Sequence, residues 1–193
     1  MVDAAQLSPT GYVVLGLVSV RPRAGHELAG YAERSIGNFF PLTRSHIYSE
    51  LDRLCRLGVL EATEVRQVRF PTKRVYEITS EGEGVLREWL EESPVGPERQ
   101  RSPFLVRIFF ADRMSAARLE AILGEYESEA RARRDRLAEV VERLADRPQA
   151  AFRRATAMFG VRREQAKLDW IAEVRPQLLA AADSVSARGD EGC

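Results

Sequence analysis

The spacing of apolar residues changes along the first ninety residues in an order that few folds share. Helical spacing covers three short segments, alternating spacing covers two more, and helical spacing then returns. The predicted elements are helices at 8–20, 26–35 and 43–57, strands at 59–68 and 73–79, and a helix from Ser80, where Ser80 and Glu83 have capping-box spacing. This order of three helices, a two-stranded β-wing and a helix is typical of a winged helix-turn-helix domain.

The third helix is the candidate for reading DNA. Ile47, Leu51, Leu54 and Cys55 recur at helical spacing and predict its inner face. In a winged helix-turn-helix domain this helix lies in the major groove, where base pairs are distinguishable. Its predicted DNA-contacting residues are Thr43, Arg44, Ser45, His46, Tyr48, Ser49 and Arg53. An ordinary amphipathic helix with a solvated face explains the same spacing, and Glu50 and Asp52 suit DNA poorly.

The predicted hairpin carries a group of cations around its tip. Arg66, Arg69, Lys73 and Arg74 cluster there, with no acid from Val65 to Tyr76. Such a tip can contact phosphates and the minor groove. Lysine and arginine also protect exposed strand edges, so a purely solubilising role is the alternative. Positive charge beside the third helix favours DNA as the partner.

Composition argues against several other classes of protein. The net charge is zero and there are two histidines and two cysteines, without metal-ligand spacing, a phosphate loop or a catalytic triad. We therefore expect that the protein is not an enzyme and that it binds no metal ion and no cofactor. Cys55 is interpreted as a core residue. Without a signal peptide or a membrane-length apolar run, a cytoplasmic, nucleoid-associated protein is expected.

A second domain is predicted after a linker rich in proline. The predicted boundaries are a DNA-binding domain at 1–92, the linker at 93–102, a helical domain at 103–183 and a disordered tail at 184–193. The fold class is therefore mainly α, with an N-terminal winged helix-turn-helix domain and a C-terminal α-helical dimerisation domain. The helical domain is expected to contain a short core helix at 104–110 and long helices at 115–144 and 149–182. The last helix has Phe152, Phe159, Trp170 and Leu178 near one predicted face.

The helix at 115–144 has a heptad pattern, which is typical of a coiled coil. We expect a homodimer through this region, because a DNA-binding domain of this size needs a partner to read two half-sites. The predicted dimerisation residues are Leu119, Leu123, Tyr126, Leu137, Val140, Leu144, Phe159 and Trp170. Ala130 and Arg133 interrupt the pattern, and packing within the helix's own domain is the alternative.

Several stretches resemble the PadR family of bacterial transcriptional regulators, in its longer form with a helical C-terminal domain. The residues that carry the resemblance are Leu7-Ser8 to Leu17, Gly25-His26-Glu27-Leu28, Phe40 to Leu54, Gly58-Val59-Leu60, Arg74 to Gly82, and Leu86 with Trp89-Leu90. The likeness is strong over 7–92 and a matter of pattern beyond. One departure is Phe40, where such proteins often have a tryptophan before the third helix.

The resemblance implies a repressor, or less often an activator, that binds an inverted-repeat operator as a dimer. It also implies that Tyr48 faces DNA. Trp89 lies near the predicted domain junction, and Trp89 and Trp170 are candidates for binding a small aromatic or apolar effector, although indoles are more often core residues. The alternative function is a winged-helix protein-interaction module that does not read DNA.

Overall fold

The chain forms two compact units. The computed structural model describes residues 7–66, 72–94, 96 and 101–190. The N-terminal unit comprises Met1–Pro97 and the C-terminal unit Glu98–Cys193, so the division falls inside the segment assigned to a linker.

The N-terminal unit contains four helices, which are α1 (Pro9–Ser19), α2 (Gly25–Ser35), α3 (Arg44–Arg56) and α4 (Ser80–Glu92). The side chain of Ser8 caps α1 by accepting from Gly11 N at 3.0 Å, and α1 is buried nearly all round, as its composition predicts. The capping box at Ser80 is wrong by one residue, because Thr79 is the N-cap of α4. Its Oγ1 accepts from Gly82 N at 3.1 Å and donates to Gly58 O at 2.8 Å.

The predicted two-stranded wing is present, and a third strand extends it into a three-stranded antiparallel sheet. The strands are β1 (Arg23–Ala24), β2 (Leu60–Val65) and β3 (Lys73–Ile78), in the order β1-β3-β2. In β1, Arg23 pairs with Tyr76 across the ladder. Two residues are too few to show strand periodicity, so β1 depends on the free edge of β3.

Helices and sheet of the N-terminal unit share one apolar core. Leu15 of α1, Leu28 of α2 and Leu51 of α3 are fully buried in it, and Cys55 packs against it. Gly58 turns the chain from α3 into β2 with a φ of 75°, a conformation that favours glycine. This core fixes which face of α3 points outward.

The C-terminal unit is built on α6 (Ala116–Arg143) and α7 (Ala151–Asp190), preceded by α5 (Pro103–Phe109). Short 3-10 helices at Ala111–Arg113 and Pro148–Ala150 precede α6 and α7. The composition predicts a disordered tail from residue 184, but α7 continues to Asp190. Alanines at 180–182 have high helix propensity, which favours this continuation. Residues 191–193 lie outside the described part of the chain.

Three expectations about the C-terminal unit need correction. Helix α5 has no fully buried residue, and it reaches the core through Phe104 and Ile108, which are half-buried. Leu119 and Leu123 are buried within this chain's own unit, against α7 residues such as Ala182, so they are not available to a partner. The buried face of α7 comprises Ala157, Gly160, Glu164, Leu168, Ile171 and Ala182, in place of the aromatic face expected. This face combines small residues such as Ala157 and Gly160 with the larger Leu168 and Ile171.

Candidate nucleic-acid interface

The first turns of α3 present their polar side chains to solvent. Ile47, Leu51 and Leu54 fill the core on the opposite face, as predicted. Thr43 is the N-cap, and its Oγ1 accepts from His46 N at 3.2 Å and lies 2.9 Å from Ser45 Oγ. The exposed residues are Thr43, Arg44, Ser45, His46, Tyr48 and Ser49. The α3 surface, defined by these six residues, therefore offers hydroxyl, imidazole, phenol and guanidinium groups on one side of the helix.

Tyr48 is held against the start of α2. A Cβ atom added at Gly25 would lie 2.5 Å from Tyr48 Cε1, which is closer than packed atoms tolerate. Glycine at position 25 thus lets the ring approach the backbone of α2 closely while part of the side chain remains exposed. The aromatic ring is oriented by tertiary packing and its position is not set by α3 alone.

Glu50 turns away from the α3 surface. Its Oε1 accepts from Ser8 Oγ at 3.2 Å, and its Oε2 accepts from Arg53 Nη1 at 3.3 Å. The carboxylate therefore sits at the N-terminus of α1, where the helix dipole favours negative charge. Arg53, a predicted DNA-contacting residue, is half-buried and pairs with this carboxylate.

The two described cations of β3 form ion pairs across the domain. Lys73 Nζ donates to Glu27 Oε1 at 2.9 Å, and Arg74 Nη1 donates to Asp52 Oδ1 at 3.1 Å. The hydrogen bond from Lys73 lowers the pKa of the Glu27 carboxyl. Sequence reasoning missed this role of Glu27, because it lies 46 positions from Lys73 and nothing local links the two.

A cleft of about 350 Å³ separates the wing from α2 and α3. We call it the wing cleft. It brings Lys73 and Arg74 to the same opening as Tyr48, so part of the predicted wing set and part of the α3 surface adjoin one another. Its lining residues are Ala24, Gly25, His26, Tyr48, Asp52, Thr72, Lys73, Arg74 and Tyr76. Arg66 is exposed beyond the end of β2, and Arg69 lies outside the described residues.

The two tryptophans lie in different units. In the N-terminal unit, Trp89 stacks on Tyr12 with ring centroids 4.7 Å apart and an interplanar angle of 8°. A groove of about 470 Å³ runs beside this pair, between Pro9 and Glu92. In the C-terminal unit, Trp170 meets Phe104 edge-on at 6.2 Å between ring centroids. Each indole thus packs on another ring, and Trp89 also faces a groove.

The remaining predicted dimerisation residues are spread over α6 and α7. Tyr126 stacks on Phe104 with centroids 3.7 Å apart. Leu137, Val140 and Leu144 are half-buried, whereas Phe159 is exposed. These side chains keep some surface that a partner could contact, in contrast to Leu119 and Leu123.

No catalytic or metal-binding arrangement stands out in the part of the chain that the structure describes. Among those residues, no group of three or more His, Cys, Asp or Glu side chains could hold a metal ion. Burial raises the pKa of the Cys55 thiol, which keeps it protonated. No described helix combines the length and apolar character that crossing a membrane requires.

Two family models match consecutive parts of the chain. Residues 14–88 match the PadR-like family of transcriptional regulators, and residues 100–178 match the C-terminal region of the virulence activator alpha family. The N-terminal unit of this chain is thus similar to PadR-like transcriptional regulators. The PadR-like match begins within α1 and ends within α4, and it includes the whole α3 surface and the wing cleft.

Curated relatives of this PadR-like chain are transcriptional regulators and not enzymes. The negative transcriptional regulator PadR of Bacillus subtilis (strain 168) is 27% identical over 104 residues, which are 54% of this chain and 57% of that protein. The probable transcriptional regulator Rv1176c of Mycobacterium tuberculosis is 34% identical over 88 residues, 46% of each chain. The matched part thus spans about half the length of these relatives.

Solved structures of the Bacillus subtilis PadR share the fold over nearly their full length. In complex with operator DNA, that protein superposes with a TM-score of 0.77 at 21% identity, covering 87% of this chain and 98% of that one. In complex with p-coumaric acid, it gives a TM-score of 0.70 at 21% identity, with coverage of 87% and 97%. The predicted winged-helix fold followed by a helical domain is therefore confirmed.

Proposed function

We propose that this chain is a homodimeric repressor that binds an inverted-repeat DNA operator and is released by a small planar effector. The α3 surface reads base edges in the major groove, while Arg66, Arg69, Lys73 and Arg74 bind phosphates. Such a protein acts on the chromosome in the cytoplasm. Operator binding by the related PadR supports the choice of partner.

One observation carries the DNA assignment. The α3 surface and the β3 cations adjoin the same wing cleft, so one contiguous surface offers both base-reading and phosphate-binding groups. The two acids of α3 do not place an unpaired negative charge on this surface, because Glu50 faces α1 and Asp52 is paired with Arg74. A zero net charge for the whole chain is compatible with this arrangement, because the local distribution of charge decides DNA contact.

The test is the affinity of the full chain for a duplex from its own promoter and for a scrambled duplex, measured by fluorescence anisotropy over a salt series. We expect the promoter duplex to bind at least about a thousandfold more tightly. Equal, weak affinity for both duplexes at every salt concentration would contradict operator recognition. Absence of binding to both duplexes would favour the protein-interaction module. That alternative is compatible with the ion pairs that both described β3 cations form within the domain.

Dimerisation is proposed through the C-terminal unit. Four large apolar side chains of α5 and the residue after it are exposed: Leu105, Val106, Phe109 and Phe110. Phe159 of α7 is exposed as well. Exposed apolar patches of this kind mark interaction sites more often than free surface. Light scattering that finds a monomer at micromolar concentration would contradict the dimer.

An effector site is proposed in the groove beside Trp89. The parallel stack of Trp89 on Tyr12 gives the groove an apolar aromatic wall, against which a planar molecule can pack. The related PadR has been solved with p-coumaric acid, which supports a planar aromatic class of ligand. Trp170, the second predicted effector residue, packs in the C-terminal unit and is the control.

The effector proposal is tested by tryptophan fluorescence. Planar aromatic compounds are titrated into the wild-type chain, Trp89→Phe and Trp170→Phe. We expect a ligand that changes operator affinity to quench the wild type and Trp170→Phe, and to leave Trp89→Phe emission unchanged. Quenching that survives in Trp89→Phe would move the site away from Trp89.

A further inference from the structure

Both described cations of β3 are held by carboxylates from the side of the domain that faces the wing cleft. Glu27 belongs to the first turn of α2 and binds Lys73. Asp52 belongs to α3 and binds Arg74. The two ion pairs therefore tie β3 to both helices that border the cleft.

Solvent reaches both pairs. The side chains of Lys73 and Glu27 are 27% and 40% exposed, and those of Arg74 and Asp52 are 49% and 52% exposed. Ion pairs at this exposure contribute little to folding stability and exchange partners readily. Structural stability is thus a weak explanation for two acids at this place.

A DNA phosphate offers the same cations an equivalent partner. Phosphate and carboxylate oxygens accept the same short, charge-assisted hydrogen bonds from ammonium and guanidinium groups. Duplex DNA presents these oxygens at high density, and each cation that binds one also releases a condensed counterion. His26 and Tyr48 line the same cleft and add further donors near the two cations.

We propose that Glu27 and Asp52 are internal substitutes for DNA phosphates, which occupy Lys73 and Arg74 in the free protein and are displaced by the phosphate backbone of a bound duplex. This inference rests on the proposed function. It assigns the wing cleft as a phosphodiester site and gives the two acids a defined role. Each carboxylate lowers the affinity for any duplex, because its ion pair must break before the cation can bind phosphate.

The decisive variants are Glu27→Gln and Asp52→Asn in the full chain. Each is expected to bind operator and scrambled duplex about two- to fivefold more tightly than wild type, with the ratio between the two duplexes unchanged. Affinities are measured by fluorescence anisotropy over a salt series. Circular dichroism melting establishes that each variant is folded.

Glu64→Gln is the matched control for Asp52→Asn. Glu64 lies directly opposite Arg74 in the β2–β3 ladder, yet among the described residues it forms no ion pair with Arg74. The control removes the same charge from the same neighbourhood without freeing a cation. Tightening by Glu64→Gln equal to that by Asp52→Asn would reduce the effect to net charge and overturn the inference.

A second measurement follows Glu27 directly. The pKa of its carboxyl is lowered by Lys73 in the free protein, so it should rise in the saturated DNA complex as Lys73 leaves and a phosphate approaches. Carbon-13 NMR of labelled glutamate side chains reports this pKa. An unchanged pKa of Glu27, or weaker DNA binding by both acid variants, would mean that the ion pairs only position the wing. Either result would overturn this inference and leave the proposed function intact. Absence of wild-type binding to any duplex would overturn the proposed function with it.

Discussion

The two units of this chain treat their large apolar side chains differently. In the N-terminal unit a single core includes Leu15, Leu28 and Leu51, although Phe39 and Leu90 remain exposed. In the C-terminal unit Phe109 is 80% exposed and Phe152 is 89% exposed. One chain therefore completes the first core, while the second unit leaves apolar surface that we propose a second copy covers.

The exposed surfaces of the two units also differ, since one is mainly polar and the other is partly aromatic. The N-terminal unit presents the polar α3 surface and the ion pairs of the wing cleft, which suit a charged, hydrated partner such as DNA. The C-terminal unit presents aromatic side chains, which suit a protein partner. Substitutions in the N-terminal unit should therefore change its stability and DNA affinity, and substitutions in the C-terminal unit should change assembly.

The largest expected effect is loss of the N-terminal core in Leu51→Ala. Leu51 is fully buried, so the free energy of unfolding should fall by about 2–5 kcal/mol through lost burial and a residual cavity. The control is Leu90→Ala, which removes the same atoms from a side chain that is 68% exposed and should change that free energy by less than about 0.5 kcal/mol. Urea denaturation measures both, and similar losses would contradict a single-chain core.

Next in size is the effect of Phe109→Ser on assembly. If this side chain lies at the centre of a dimer interface, its loss should cost about 2 kcal/mol or more of dimerisation free energy, a weakening of roughly thirtyfold. Sedimentation equilibrium measures the dissociation constant. Phe39→Ser changes an exposed phenylalanine of the N-terminal unit and should leave assembly unchanged. An unaffected dimer in Phe109→Ser would remove α5 from the interface.

A smaller and more selective effect is expected at the DNA surface. Tyr48→Ala should cost about 1–3 kcal/mol of operator binding and little binding to scrambled duplex, because it removes a base contact. Arg74→Ala should weaken both and lower the salt slope by roughly one. Tyr48→Phe, which keeps the ring on Gly25, separates packing from the hydroxyl contact. Altered sequence preference in the wing variant alone would reverse the assignment of roles.

The smallest effect concerns acid stability and compares one carboxyl from each unit. Lys73 lowers the pKa of Glu27, and Arg131 and Arg175 lower the pKa of Glu127. Each folded pKa lies below the unfolded value of about 4.3. The resulting stability is therefore present above pH 4.3 and is lost as the pH falls through the folded pKa.

Thermal melting between pH 6 and about pH 3 should show this loss. Glu27→Gln should make the N-terminal unit less sensitive to acid, and Glu127→Gln should do the same for the C-terminal unit, where Glu127 of α6 binds Arg175 of α7 at 2.6 Å. Solvent reaches both carboxyls, with Glu27 40% exposed and Glu127 27% exposed, so the changes in melting temperature should be small. A steeper acid loss in either variant would contradict the direction of the pKa shifts.

Local patterns predict the N-terminal unit well. The spacing of Ile47, Leu51 and Leu54 identifies the inner face of α3, and hence the exposed residues opposite. Ser8 and Thr43, both residue types that commonly cap helices, are the N-caps of α1 and α3. These features depend on neighbours within about four residues, which a sequence displays directly.

The same reasoning fails in the C-terminal unit for an identifiable reason. Phe152 and Phe159 mark an apolar face of α7, yet both are exposed, whereas Ala157, Gly160 and Glu164 are buried. Hydrophobic size suggests the wrong face in this part of α7, because small residues and a carboxylate are buried while the two phenylalanines remain outside. Likewise the heptad pattern of α6 does not reveal whether the partner helix belongs to the same chain.

Local spacing along the chain predicts the winged-helix order of elements and the outward polar face of α3, and short motifs carry the resemblance to PadR regulators. The folded structure was needed to show that Thr79 caps α4, that β1 joins the sheet, and that Glu27 and Asp52 hold the wing cations. The β1 pairing and the two ion pairs join residues that are distant in the chain. The choice of Thr79 over Ser80 as N-cap depends on a hydrogen bond from Thr79 to the distant Gly58. The energies of these contacts arise only when folding brings the partners within hydrogen-bonding distance, and no local pattern records that distance.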